Sequence, residues 1–429
     1  MSRGDEGAAG NAAVRTSGRA GERGAGRPAG IPGGRRRVAF FGLAWVSVAF
    51  IAASAAPSPI YVLFQAAWHV DSWLLGLAFS IYAFTLLLAL LTVGSLSDHL
   101  GRRPVLIGAV LAELAALALL LVATDITHVL IARALQGFAT GVATATVSAA
   151  LADLSPARNR QLGATVGSVT PLAGLAVGSL ASGLIIQTVD TPIPVVFTAL
   201  LGVLAVALVF VLAAPETIAR RPVAARSLAP RLHVPAGSRP AFLASSFLNV
   251  GVWLTTSLVL GLLPQIDRDV FGIRSGIANG GIIALLTGVG AVSVVLSRRF
   301  SARQSALVSA IALVAGAAVE AAAIVTLDVG LFSTGAAIAG VGAGVGFSGY
   351  IRLVIQTAQP DDRAGVFSAM YVVSYLTFGL PVIVAGIVMP VFGTAPVAVA
   401  FCALTIAASA IGFVVIDRYT RSLAGGGRS

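Results

Sequence analysis

The sequence predicts an all-α integral membrane protein whose helices cross the bilayer twelve times, in two six-helix pseudo-symmetric bundles. Three observations carry this. Of 429 residues, 57% are hydrophobic and only 10% charged, more apolar surface than a water-soluble domain has reason to carry. The apolar residues come in runs of about 20, the length that crosses a hydrocarbon core at ~1.5 Å rise per residue. The arginines lie almost wholly between those runs, and on alternate sides of them.

Residues 1–37 are rich in Gly, Ala and Arg and hold almost no large apolar side chain. Burial cannot offset their chain entropy, so a disordered, basic cytoplasmic tail is expected. No short apolar core with a small-residue cleavage site precedes the first span, so no cleavable signal peptide is expected. Spans 1 to 6 are read at 38–56, 73–94, 104–124, 127–154, 162–189 and 193–214, and spans 7 to 12 at 241–263, 277–297, 306–327, 329–356, 364–388 and 394–416. A linker rich in Pro and Arg, 217–240, separates an N-terminal bundle (38–216) from a C-terminal bundle (241–416), and a short cytoplasmic tail follows (417–429).

Arginine tests this count, because one missing span would invert every later loop. With the amino terminus inside, 24 of the 28 arginines fall on the cytoplasmic side: eight in the tail, two after span 2, two after span 4, five in the linker, three after span 8, one after span 10 and three at the end. Arg268 and Arg274 fall outside, beside Asp267 and Asp269, and Arg133 and Arg352 lie within spans. A wrong parse would not keep such an asymmetry through twelve spans.

A net charge of +11 raises nucleic acid as a partner, but these arginines sit in short loops and form no folded basic face with exposed aromatics. Contact with anionic lipid head groups accounts for them, and no nucleic acid is expected. There is no lysine, and Ala, Gly and Val are in excess, which points to a GC-rich bacterial genome and hence the bacterial cytoplasmic membrane. Cys402 is the one cysteine, and His69, His99, His128 and His233 share no face. No disulfide, metal or cofactor is expected.

The polar bridge Gly94-Ser-Leu-Ser-Asp-His-Leu-Gly-Arg-Arg-Pro104 stands between spans 2 and 3. Gly101 tolerates a positive φ, Arg102 and Arg103 cannot lose their charge, and Pro104 suits a first helical turn. In Gly94, Leu96, Asp98, Gly101, Arg102 and Arg103 the bridge closely resembles the loop signature of the major facilitator superfamily. That resemblance implies that Asp98 holds the start of span 11 when the cytoplasmic side is closed; a cap on span 3 or a pair with an arginine of its own loop is the structural alternative. The loop 296–303 lies 200 residues beyond 96–103 and keeps its Leu, Ser and last Arg, a blurred repeat of the kind that paired six-helix transporters carry.

Arg133 opens Arg133-Ala-Leu-Gln-Gly137-Phe-Ala-Thr-Gly141, which resembles the family's span 4 signature. A guanidinium inside a span needs a partner or a water-filled cavity, and glycines four apart let helices approach. Glu113 is the nearest acid in depth, either as a structural pair for Arg133 or as a proton-coupling group. Glu320 is the second intramembrane acid, either a proton-coupling group or an acid that reaches the interface from the outer part of span 9. Span 5 carries Gly163, Gly167, Pro171, Gly174, Gly178 and Gly183, small residues for close packing and a proline for a bend. It resembles the drug/proton antiporter signature, with Thr170-Pro171 and Ala173-Gly174 where that signature has Gly-Pro and Gly-Gly. Gly344-Val-Gly-Phe-Ser-Gly349 is formally a nucleotide-binding pattern, but no strand precedes it, so helix packing explains it.

Tyr61, Tyr82, Gln136, Asn249, Tyr371 and Tyr375 are the candidates for a central substrate cavity, with membrane-interface anchoring the alternative for the tyrosines. No Walker loop, nucleophile elbow or triad order is found, which argues against an enzyme and for a gradient as the energy source. The family resemblance implies a monomeric transporter that rocks two bundles around a midplane site, with lipid, protons and a small molecule as its partners. Proton-driven export of a small organic compound is the expected function. Uptake or passive facilitation of a nutrient, and a receptor or scaffold without flux, are the alternatives.

Overall fold

The computed structural model describes residues 32–94, 96–156, 161–218, 232–359 and 362–425. Their regular structure is helical throughout, and twelve helices are long and apolar enough to cross a membrane. Span 1 is Gly33–Trp68, span 2 Ser72–Thr92, span 3 Arg102–Leu121, span 4 Ile126–Leu154, span 5 Leu162–Thr188 and span 6 Pro192–Ala213. Span 7 is Arg239–Asp269, span 8 Gly276–Arg299, span 9 Ala302–Thr326, span 10 Val329–Val354, span 11 Arg363–Phe392 and span 12 Thr394–Arg421. The expected disorder of the tail falls mostly on residues 1–31, and the middle of the linker on 219–231; both lie outside the described residues.

Helix continues past several of the expected ends. Gly33 to Arg37, read as tail, already belong to the first helix. There Arg36 donates to the carbonyls of Leu154 (2.9 Å) and Ser155 (2.5 Å), satisfying the open end of span 4. At the other end of the chain, helix runs on to Gly425, and Asp417 pairs with Arg303 at 2.7 Å and Arg421 at 2.8 Å. Span 1 does not stop at Ala56: Pro57 and Pro59 fall in the first turn of a second helix, Pro57–Trp68, so the prolines bend the span without ending it. Span 7 likewise passes Leu263 through a π-helical segment, Leu258–Leu262, and a last helix, Leu263–Asp269.

The two bundles repeat one packing scheme. Span 1 packs on spans 4, 5 and 6 as span 7 packs on spans 10, 11 and 12, and spans 2 and 3 flank span 4 as spans 8 and 9 flank span 10. The bundles meet where span 5 crosses span 8 and span 2 crosses span 11, two contacts that the repeat exchanges. Twelve crossings put both described ends on the same face as the loop between spans 2 and 3; this is the loop face.

Lipid offers no hydrophobic drive between helices, so small residues decide where they touch. Gly137 lies against the Tyr82 carbonyl and Thr85, and Gly141 against the Leu86 carbonyl and Ala89, pressing span 4 onto span 2. A Cβ on Gly174 would come within 2.8 Å of the Val48 carbonyl, and one on Gly178 would strike Ala52, so span 5 rides on span 1. Gly167 differs from expectation, because nothing lies within 4 Å of where its Cβ would be. Gly344, Gly346 and Gly349 face Gly290, Ser309 and Ser305, the helix packing expected of that run.

Candidate functional site

The site grows from a proline. Pro57 has no N–H to give the carbonyl of Ala53 four residues back, where the first helix of span 1 ends. Buried carbonyls need donors. Span 4 supplies them: Gln136 Nε2 donates to Ala53 at 3.1 Å, and Arg133 Nη1 to Ser54 at 3.1 Å. Arg133 also donates through Nε to Ala78 of span 2 at 3.4 Å and through Nη1 to Gln136 Oε1. Its guanidinium carbon stands 4.2 Å from the centre of the Tyr82 ring, a cation–π contact worth about 2 kcal/mol when desolvated.

Glu113 joins through the same glutamine. Gln136 Nε2 donates to Glu113 Oε1 at 2.8 Å, while Glu113 Oε2 has no partner. The direct Glu113 to Arg133 pair is therefore replaced by a bridge, Glu113–Gln136–Arg133, joining spans 3 and 4. Gln136 and Glu113 are completely buried. Gln136, expected on a cavity surface, is instead committed to the interior of the N-terminal bundle.

The C-terminal bundle uses the same backbone device. Pro381 leaves the carbonyl of Thr377 without its helical donor, and Ser257 Oγ reaches it at 3.2 Å and Phe378 O at 2.9 Å. Two turns back on span 7, Asn249 Nδ2 donates to Ser374 Oγ at 3.0 Å, its Oδ1 left without a donor. Between them lies Trp253, which the sequence did not single out. Its ring centre is 5.8 Å from Phe347, 5.4 Å from Tyr375 and 5.2 Å from Phe378, and its buried indole N–H has no acceptor. Tyr371 extends this wall, 6.1 Å from Tyr375. An aromatic one turn from an asparagine on the same helix face was the signal available in the sequence.

The two halves of the site face each other across the seam. Phe378, beside Trp253, lies against Phe79 of span 2, three residues before Tyr82. Tyr61, Tyr82 and Asn249 are buried, Tyr371 and Tyr375 half-buried; Tyr375 and Tyr371 line the wall at Trp253, with Asn249 one turn from it on span 7, while Tyr82 and Gln136 stand at Arg133 in the other bundle. The Tyr61 hydroxyl is buried without a partner. Glu320 stands apart: it is completely buried in the C-terminal bundle, packed on Gly335 of span 10, both oxygens without partners. It does not reach the interface, because Gly335 leaves room for it inside.

Between the bundles, hydrogen bonds and ring contacts run from the middle of the molecule to the face opposite the loops. Ser80 Oγ donates to Gly379 O at 2.8 Å, the rings of Phe79 and Phe378 meet at a tilt with centres 4.6 Å apart, Ser58 Oγ donates to Leu260 O at 2.6 Å, and Arg268 Nη1 to Gln65 Oε1 at 2.6 Å. Among the described residues, no hydrogen bond, ion pair or ring contact joins the bundles on the loop-face side of Ser80 and Gly379. Asp98 accordingly stays within its own loop, paired with Arg102 at 2.5 Å. Arg102 also donates to Ser97 at 2.6 Å, and Gly101 adopts φ +99°. Glu216, at the start of the linker, accepts from the backbone N–H groups of Arg102 (2.8 Å) and Arg103 (3.1 Å). It is the anion at the positive end of span 3. No group of three or more His, Cys, Asp or Glu with metal-binding geometry occurs among the described residues.

A family model described as the Major Facilitator Superfamily matches residues 43–380. The chain belongs to the Major Facilitator Superfamily. As a member of that superfamily it is a protein of transmembrane transport, acting on a small substrate. No curated protein matches it in sequence. Among solved structures it is similar to a bacterial homologue of the human lysosomal transporter Spinster, inward-facing and unoccupied, with 14% identity, a TM-score of 0.70, and 89% of this chain and 97% of that one covered. The same homologue in its occupied, inward-facing form gives 13% identity, a TM-score of 0.67 and the same coverage. The human organic anion transporter MFSD10 (TETRAN) gives 19% identity, a TM-score of 0.59, and 89% and 100% coverage. At such identities the likeness is one of fold.

Proposed function

We propose that this superfamily member is a secondary transporter that exports a small amphiphilic organic compound from a bacterial cytoplasm by proton-driven alternating access. The loop face is cytoplasmic by the arginine asymmetry, so the bundles are sealed on the outer side and the molecule faces inward. Asp98, released from the outer-closed state, would hold the start of span 11 when the inner side closes. One observation supports this reading above the rest: a buried charge relay in one bundle faces an aromatic wall with unused polar atoms in the other. The substrate's apolar body would lie on Trp253, Tyr371 and Tyr375, with the Trp253 N–H as donor and Asn249 Oδ1 as acceptor. Glu113 would carry the proton, since its free oxygen can take one without breaking the bond from Gln136.

The test is substrate-dependent proton movement in vesicles. Glu113→Gln is expected to retain substrate binding but to lose the pH dependence of flux and the accompanying proton signal. Unchanged pH dependence would remove Glu113 from coupling, and flux without any proton signal in the unaltered protein would make it a facilitator. Trp253→Ala is expected to raise KM about tenfold, the equivalent of ~1.4 kcal/mol of aromatic contact. An unaltered KM would move the substrate elsewhere. The complete burial of Glu113 favours the second reading, a membrane receptor without flux, which silence across a broad substrate panel would support.

A further inference from the structure

The outer seal holds an acid that neither the motifs nor the charge relay uses. Asp267 lies in the last turns of span 7; it read as loop because Arg268 and Asp269 follow it. The structure buries it, with 3% of its surface exposed, against Asn279 of span 8, itself 5% exposed. Asn279 Nδ2 donates to Asp267 Oδ2 at 3.0 Å. The other oxygen of each side chain, Asp267 Oδ1 and Asn279 Oδ1, is buried with no donor. The backbone carbonyl of Asp267 also accepts from Ile273 N at 2.7 Å, so the chain after span 7 folds back beside it.

No cation among the described residues neutralises this carboxyl. Arg268 turns to Asp269, 2.7 Å away, and to Gln65. Arg274 is exposed. The helices packed on the end of span 7 bring no charge of their own here: the second half of span 1 (Pro57–Trp68) and the π segment contain no ionisable group but Tyr61, span 8 has none before Arg298, and span 12 has none between Thr394 and Asp417 except Cys402. Thr394 is occupied with Asp269 at 2.8 Å, and His69, just past span 1, is exposed.

Two orphan acceptors on a side-chain pair already joined by one hydrogen bond need one donor between them. We infer that Asp267 is a proton-binding site, its Oδ1–H donating to Asn279 Oδ1 to close a neutral acid–amide pair within the C-terminal bundle, which lets the end of span 7 stay buried against span 1 and so holds the outer side shut. A bare carboxylate at this position would be a buried, unpaired charge, a state a protein avoids by taking a proton or by opening to water. Low pH on the outer side therefore favours the closed outer face, and high pH its opening. The latch stands on the burial at this seam and on the outward orientation of this face, not on substrate or transport direction.

The test uses the purified full chain in nanodiscs, with spin labels at Gln187 and Ile277, the exposed ends of spans 5 and 8. Distances between them are measured across a pH titration without substrate. The closed population of the otherwise unaltered protein is expected to fall about tenfold from acid to alkaline pH, a shift that a single buried titration can drive. Asp267→Asn carries a permanent N–H where the acid has its proton, and is expected to stay closed at every pH. Asn279→Leu removes the partner and is expected to open the face throughout. Infrared difference spectra should show a protonated carboxyl band at acid pH that is missing in Asp267→Asn; this band reads the proton even if a variant folds poorly. A pH-independent distance in the unaltered protein, a titration unchanged by Asp267→Asn, or an acid-pH carboxyl spectrum from which that change removes no band overturns the latch. A titrating latch in a protein that transports nothing would keep this inference and discard the proposed function.

Discussion

Gly280→Val is expected to leave the protein folded in the membrane and to reduce transport to a few per cent or less. A Cβ at Gly280 runs into the carbonyl of Ser179 on span 5, and would lie 3.0 Å from that residue's carbonyl carbon and 3.3 Å from Gly183 Cα. These are backbone atoms, which cannot rotate aside. Gly276 and Gly183 make the same contact in both directions, so the two spans touch main chain to main chain along this seam. Overpacking a contact of this kind costs about 1–3 kcal/mol and at times more, so the outer-closed state loses roughly tenfold to a hundredfold of its population. Spans 5 and 8 belong to different bundles, so the cost falls on closing the seam and not on folding either bundle. Gly281→Val is the control, since nothing lies within 4 Å of a Cβ there; it is expected to stay within about 0.5 kcal/mol of the parent. Flux through vesicles, with size-exclusion profiles for both variants, decides the matter. Parental flux in Gly280→Val would mean that the seam opens and closes without this contact.

That seam shows where the sequence stopped being legible. Twelve spans, two halves and the loop face follow from apolar length and arginine placement, which are properties of single segments and survive without tertiary information. The helix ends did not follow. Proline reads as a boundary, yet in span 1 Pro57 occupies a first turn and the helix resumes at once. An Asp-Arg-Asp triplet reads as loop, yet span 7 carries Asp267 inside because Asn279, across on span 8, gives it a hydrogen bond. Partners of that kind are fixed by packing, and neither local pattern nor spacing encodes them. Arg133 and Glu113 were visible as costly residues in lipid, whereas the role of Gln136 between them depends on which carbonyls Pro57 sets free. Trp253 illustrates the same limit from the apolar side: an aromatic within a hydrophobic run becomes distinctive only when Phe347, Tyr375 and Phe378 are seen around it.

Arg133→Ala is expected to have the largest effect of any single change in the N-terminal bundle, destabilising the protein by about 3–5 kcal/mol, the cost of breaking a buried charged network by removing one member. The loss has several parts. The carbonyls of Ser54 and Ala78 and the Oε1 atom of Gln136 all lose their donor from Arg133, and a buried acceptor left without a partner, as Gln136 Oε1 then is, costs about 1–3 kcal/mol before relaxation. Tyr82 loses the cation over its ring. Span 4 then keeps the bond from Gln136 to the Ala53 carbonyl of span 1 and the close contacts of Gly137 and Gly141 with span 2. Arg133→Lys keeps the charge but offers one compact ammonium to acceptors set around a planar fork, so it is expected to recover part of the stability and little of the transport. Thermal unfolding in detergent measures the first quantity and vesicle flux the second. Gln136 shares the network, so Arg133→Ala and Gln136→Ala are expected to be non-additive, with a coupling of about 0.5–3 kcal/mol. Additive effects would show that Gln136 bonds to the broken end of span 1 independently of Arg133. The link to Glu113 would then be a consequence of packing and not a path along which charge in one helix is felt in another.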